Sequence, residues 1–208
     1  MQILDWQQLD AEGRRAALAR PSAVLQPQLL AQAQAIIDAV RREGDAAIGR
    51  YTREFDGVRL AELRVSAAEF AAARAQLTSG QVAAIEKALA NVDSFHRAGL
   101  PAPLSLEVQP GVRCERVIRP LSAVGLYVPA GGAPLPSTVI MLGVPARIAG
   151  CPQRVLCTPP QAGGHANAAV LLAAQLCGIE QVFKIGGAQA IAAMAYGSAT
   201  VPKVVKIF

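Results

Sequence analysis

Four short apolar runs, at 122–128, 154–158, 181–185 and 204–208, recur at a step of roughly 25–30 residues, the spacing that a strand, a crossover helix and two loops require. Runs this short and this apolar suit strands buried on both faces, which occur in parallel sheets covered by helices on either side. The intervening helices fall at 137–149, 166–177 and 188–196. Gly150, Gly178 and Gly197 stand just past their ends, where a residue of positive φ commonly closes a helix. Ser137 offers an oxygen to cap the first of these helices. Pro145 should kink that helix or split it into two turns, because proline removes an internal hydrogen bond.

Upstream the periodicity changes to that of helices. Leu29, Leu30, Ala33, Ile36, Ile37 and Val40 repeat at three- and four-residue spacing up to Gly44, and Ile48, Tyr51 and Phe55 continue on a short helix closed by Asp56-Gly57. Ser66-Ala67-Ala68-Glu69 fits a capping box for a third helix. A fourth sets Val82, Ile85, Leu89, Val92 and Phe95 on one face before Gly99 and Pro101. The runs 106–108 and 114–118, with Pro110-Gly111 between them, read as a small hairpin. The fold expected is α/β: a helical region with two short strands over residues 1–120, then an incomplete Rossmann-like parallel sheet flanked by helices over 121–208.

The chain has 208 residues, 52% of them hydrophobic and 17% charged, which allows a sizeable core and excludes a disordered chain. Its net charge of +5 is scattered without basic runs or interleaved aromatics, so a nucleic-acid partner is not expected. The apolar run 139–144 is far below the roughly 18 residues of a membrane span. The first residues, Met1-Gln2-Ile3-Leu4-Asp5-Trp6, lack the pattern of a signal peptide, which points to the cytoplasm. Cys114, Cys151, Cys157 and Cys177 match no zinc or redox spacing and read as small buried hydrophobes. His96, in the last turn of its helix, complements the helix dipole rather than ligating a metal. His165 reads as a solvated loop residue, with no serine or cysteine arranged around it. No catalytic residue and no metal ligand are assigned.

The site expected is the carboxyl edge of the parallel sheet, where ligands of such folds bind. Gly-x-Gly-x-x-Gly does not follow the first strand. Tyr127 ends that strand beside Gly131 and Gly132, which allow close approach of backbone to a ligand. Gln189 lies in the first turn of the helix entered through Ile185-Gly186-Gly187-Ala188. Tyr127 can stack on a base or bond a ribose, Gln189 both donates and accepts, and the amides of Gly187 and Ala188 at the helix start suit a phosphate.

Several long segments resemble bacterial histidinol dehydrogenase: Val124-Gly-Leu-Tyr-Val-Pro-Ala-Gly-Gly-Ala-Pro-Leu-Pro-Ser-Thr-Val139, then Pro145-Ala-Arg-Ile-Ala-Gly-Cys151, Ala173-Ala-Gln-Leu-Cys-Gly178 and Gly186-Gly-Ala-Gln-Ala-Ile-Ala-Ala-Met-Ala-Tyr-Gly197. The likeness extends upstream through Gln109–Cys114 and Phe55-Asp56 to Asp5-Trp6. It implies a homodimeric zinc enzyme that oxidises histidinol to histidine, the last step of histidine synthesis, in two hydride transfers to NAD. It implies that Tyr127 and Gln189 contact NAD. The zinc ligands (glutamine, histidine and aspartate) and a Glu-His acid-base pair belong to the family's second half, as does a Gly-Pro-Gly-Asn loop whose asparagine touches NAD.

Val205 stands where the family usually has aspartate, and the Gly163-Gly164-His165 loop is slightly lengthened. The last strand, at 204–208, has no following helix to cover it, which suggests part of something longer, and the resemblance implies an N-terminal half that is inactive alone. Two other readings stand beside it. One is a non-catalytic dinucleotide-binding module, the other a truncated or structural piece that needs a separate C-terminal half.

Overall fold

The computed structural model describes residues 4–19, 27–130 and 133–208, which form two compact units, Met1–Gln34 and Ala35–Phe208. In the first unit Asp5 caps a 3-10 turn, Trp6–Gln8, and Asp10 caps α1 (Ala11–Leu18) by accepting from the Gly13 N–H at 2.7 Å. The Arg14 guanidinium lies 5.3 Å above the Trp6 ring. α2 (Pro27–Glu43) begins here and ends in the second unit, where its Ala39 and Val40 are buried.

In the second unit Gly44, at φ 56°, lets the chain turn directly from α2 into α3 (Asp45–Phe55). α4 (Ala67–Ala73) starts with the expected capping box: Glu69 N–H donates to Ser66 Oγ at 3.1 Å, and Ser66 N–H donates to Glu69 Oε2 at 3.0 Å. Thr78 and Gln81 form a second box at α5 (Ser79–Ala98). Val82 and Ile85 of α5 are buried, with Leu89 and Val92 packed behind them. Phe95 breaks the expected stripe. It is 77% exposed and edge-on to His96, because α5 outruns the surface it covers.

β1 (Leu104–Gln109) and β2 (Val112–Arg116) pair antiparallel about Gly111, and every residue in both is exposed. Cys114 lies there, so unlike the other three cysteines it is not a core residue.

The sheet consists of β3 (Ala123–Tyr127), β4 (Gln153–Thr158), β5 (Gln181–Lys184) and β6 (Lys206–Ile207), all parallel, in the order β5-β4-β3-β6. α6 (Pro136–Ile148), α7 (Ala168–Leu176) and α8 (Gly187–Tyr196) are the crossovers, which makes this the α/β fold that the spacing required. Alternate residues of β3 serve opposite faces. Val124 and Leu126 join the core of α6 and α7, while Ala123 and Tyr127 pack on the side of α8. Gly125 is required on that second face: a Cβ there would lie 2.8 Å from Met194 Sδ.

Three local readings change. α6 begins with Pro136 in its first position and Leu135 as a cap without a side-chain bond, so Ser137 lies inside the helix. α6 also continues through Pro145 to Ile148, where it is packed between α5 and α7. Asn167 caps α7, which places that helix two residues later than expected.

The segment around Leu63–Val65 contributes what the periodicity did not indicate. Val65 N–H donates to Val182 O and Lys184 N–H donates to Leu63 O, both at 2.8 Å, and Arg64 stands opposite Phe183. This stretch lies antiparallel along the outer edge of β5 and covers its bare hydrogen-bonding groups.

Candidate functional site

The chain passes from β3 through β4 to β5 in one direction, then α8 carries it back across the sheet to β6 on the far side of β3. In open sheets of this kind the carboxyl ends of the strands beside such a reversal are where ligands settle. Tyr127 ends β3 and is partly buried. Its Oη accepts from the Gly187 N–H at 2.9 Å, which ties the end of β3 to the start of α8. One of the two amides expected to receive phosphate is therefore taken, and the phenol keeps its own hydrogen to donate.

Gly186 and Gly187 make this approach possible. A Cβ on Gly186 would meet Pro159 Cγ at 2.7 Å, and one on Gly187 would meet Gln189 Oε1 at 2.7 Å. Gln189, in the first turn of α8, is 1% exposed, and neither its Oε1 nor its Nε2 has a hydrogen-bond partner. A buried amide left in that state costs about 1–3 kcal/mol unless a bound molecule completes it. The structure thus brings Tyr127 and Gln189 to one place. Gly131 and Gly132 lie outside the described residues.

The sequence reading left out Asp56. Its Oδ1 lies 3.5 Å from the place a Cβ on Gly186 would take, and its Oδ2 is buried without a partner. Burial raises its carboxyl above the ordinary range. In the sequence Asp56 stands in Asp56-Gly57, which reads as a helix end, and in the Phe55-Asp56 pair of the family resemblance, neither of which marks a site.

A second polar cluster lies behind β5. Lys184 Nζ is 3.2 Å from Glu69 Oε2, and His165 Nδ1 is 3.6 Å from Glu69 Oε1. Burial pushes the Glu69 carboxyl up. The Ser66 amide and the Lys184 ammonium outweigh it and hold the group below its ordinary 4.5. The His165 side chain is 74% exposed, as a solvated loop residue should be, although a carboxylate stands beside it. Burial drives the Cys157 thiol far up and that of Cys177 up to about 11, so neither is a nucleophile at neutral pH. Among the described residues, no three His, Cys, Asp or Glu side chains cluster as metal ligands.

A parallel sheet that reverses at its first strand, with helices on both faces, defines a doubly wound α/β protein. The comparisons with known proteins carry this to a family. The family profile "Histidinol dehydrogenase" matches residues 19–208. The chain is 53% identical over 208 residues to the histidinol dehydrogenase of Xanthomonas euvesicatoria pv. vesicatoria (strain 85-10), covering all of this chain and 48% of that one. It is 49% identical over 206 residues to that of Yersinia pestis, covering 99% of this chain and 46% of that one.

The crystal structure of histidinol dehydrogenase from Elizabethkingia anophelis superposes with a TM-score of 0.90 at 38% identity, over 96% of this chain and 46% of that one. The chain belongs to the histidinol dehydrogenase family, a family of oxidoreductases. It spans about half the length of the relatives it matches, their N-terminal part.

Proposed function

We propose that this chain is the NAD-holding part of an enzyme that oxidises histidinol to histidine in two successive steps. The observation that carries the reading is the Gln189 amide, buried in the first turn of α8 at the carboxyl edge of the sheet with both polar atoms unpaired. A dinucleotide supplies both a donor and an acceptor to complete it. NAD, when bound, accepts hydride. The residues of this chain bind and orient: Tyr127 keeps its O–H hydrogen to donate, and the Gly186-Gly187 turn allows a ligand close to the backbone. Residues 121–208 form the NAD-contacting domain in this reading, and residues 1–120 the helical part of the first domain.

The zinc ligands and the acid-base pair implied by the resemblance come from the other half of a histidinol dehydrogenase, so no step through zinc is assigned to this chain. The whole enzyme is read as a homodimer of the cytoplasm. No described helix is long and apolar enough to cross a membrane.

Titration calorimetry with NAD tests the cofactor reading. Weak binding is expected, further weakened about ten- to hundredfold by Tyr127→Ala. An unchanged dissociation constant would remove Tyr127 from the site. Histidinol turnover tests the division of labour. The chain alone should produce no NADH, and adding a separately made C-terminal half should restore some. Steady NADH production by the purified chain alone would place the chemistry in this half and overturn the division.

A further inference from the structure

Glu69 is the point at which α4, β5 and the loop from β4 to α7 meet. Its carboxylate accepts from the Ser66 N–H at 3.0 Å and from Lys184 Nζ at 3.2 Å, and the Ala166 amide adds a third donor. Its Oε1 also faces His165 Nδ1 at 3.6 Å. That last distance suits an ion pair and is too long for a hydrogen bond. The one incomplete contact of Glu69 is therefore the one that depends on a proton, because an imidazole gains its charge between about pH 5 and 8 and then donates from both nitrogens.

The loop is built to pass such a change on. The Gln161 N–H donates to His165 O and the Gly164 N–H to Gln161 O, both at 2.8 Å, with Gly164 at φ 77°. Residues 161–165 thus form a closed turn that carries the imidazole with it. Gln161 lines two cavities, one with Glu69, Gln76 and His165, the other at the carboxyl ends of β3 and β4 with Ala130, Pro134 and Asn167. The turn is the wall between them. The charges facing His165 are Glu69 from α4 and, behind it, Lys184 from β5. Around them, Ala72 and Gln76, Ala168 and Leu171 of α7, and Val58 and Leu60 against Gly164 bring no charge.

We propose that His165 and Glu69 form a pH-sensitive latch: once protonated, the imidazole closes on Glu69 Oε1, draws the 161–165 turn against α4 and fixes the wall of the cavity at the carboxyl edge. The latch holds only while the imidazole is charged and the carboxylate ionised. It opens as pH rises through the imidazole range, and again as pH falls through the Glu69 value, which lies below the ordinary 4.5. It is shut in a window of mild acid. Lys184 stays paired with Glu69 on both sides of the imidazole transition, so the loop responds and the fold does not. The latch is independent of the NAD reading.

Amide exchange by NMR on the 208-residue chain, with each rate divided by its intrinsic value at that pH, tests the latch through the Gly164 N–H that the closed turn protects. Protection should rise about two- to fivefold on going from about pH 8 to 5.5, the gain of an exposed ion pair, and fall again below about pH 4.5. His165→Gln should abolish the rise and leave the melting temperature at neutral pH nearly unchanged, since the ring is exposed. His96→Gln, at the only other histidine of the chain, should leave the rise intact. Protection that stays constant over that range in the unsubstituted chain overturns the latch without any variant having to fold. A rise that survives His165→Gln, or that His96→Gln removes, overturns it as well.

Discussion

Lys184 and Gln189 lie one turn of chain apart at the end of β5, both buried, and the protein treats them in opposite ways. Lys184 meets the Glu69 carboxylate, itself held by the Ser66 amide, so its charge is matched by the fold. The Gln189 amide meets nothing, and Asp56 nearby repeats the omission. A buried polar group that the chain satisfies itself contributes structure. One left unsatisfied makes the chain less stable until a partner completes it.

The largest effect should come from breaking the satisfied side. Lys184→Met leaves Glu69 without its cation and should cost about 3 kcal/mol in urea unfolding, with NAD affinity unchanged. A comparable loss of NAD affinity would erase the contrast. The same pair sets an acid limb. The Glu69 carboxyl titrates in the fold below its ordinary 4.5, so its contribution is present above that value and is lost as pH falls through the lower folded value. Lys184→Met should flatten that limb in acid unfolding curves.

The unsatisfied side should respond in reverse. Gln189→Met, of similar shape and without the amide, should raise stability by about 1 kcal/mol and weaken NAD at least about tenfold, read by urea unfolding and calorimetry on one preparation. A destabilised variant would mean that the amide has a partner within the fold. Tyr127→Phe sharpens the comparison, since the phenol serves both sides. Loss of its bond from Gly187 should cost about 1 kcal/mol of stability, with a loss of NAD affinity as well. The smallest effect belongs to His165→Ala. An exposed ring should change stability by less than about 0.5 kcal/mol, and a larger fall would show that it helps to fix Glu69.

What could be read in advance follows the range of the interactions. The strands and crossovers were legible because burial on both faces leaves continuous apolar runs, and their closing glycines Gly150, Gly178 and Gly197 all take positive φ. Tyr127 and Gln189 could be placed at one edge because parallel strands share a direction. Asp56 could not, since Gly186, which it stands beside, lies far along the chain and carries no mark of the contact. Leu63–Val65 was hidden for the same reason: the pairing partner on β5, not any local pattern, makes that stretch extended. Pro145 and Phe95 show the opposite limit. Local rules predicted a break and a buried ring, whereas packing by α5 and α7 holds the one helix together and the length of α5 leaves the other side chain in water.

The edging of β5 by Leu63–Val65 also has a consequence for synthesis. Lys184 and its partner Glu69, which fasten the two stretches, are 115 positions apart, so the earlier stretch leaves the ribosome long before the strand it must cover exists. Contacts of such separation form slowly. Until they form, β5 offers an apolar strand with a bare edge to any neighbouring nascent chain. Yield of soluble protein, more than equilibrium stability, is therefore the quantity that changes to Leu63 or Val65 should depress, and slower growth or added chaperone should recover it.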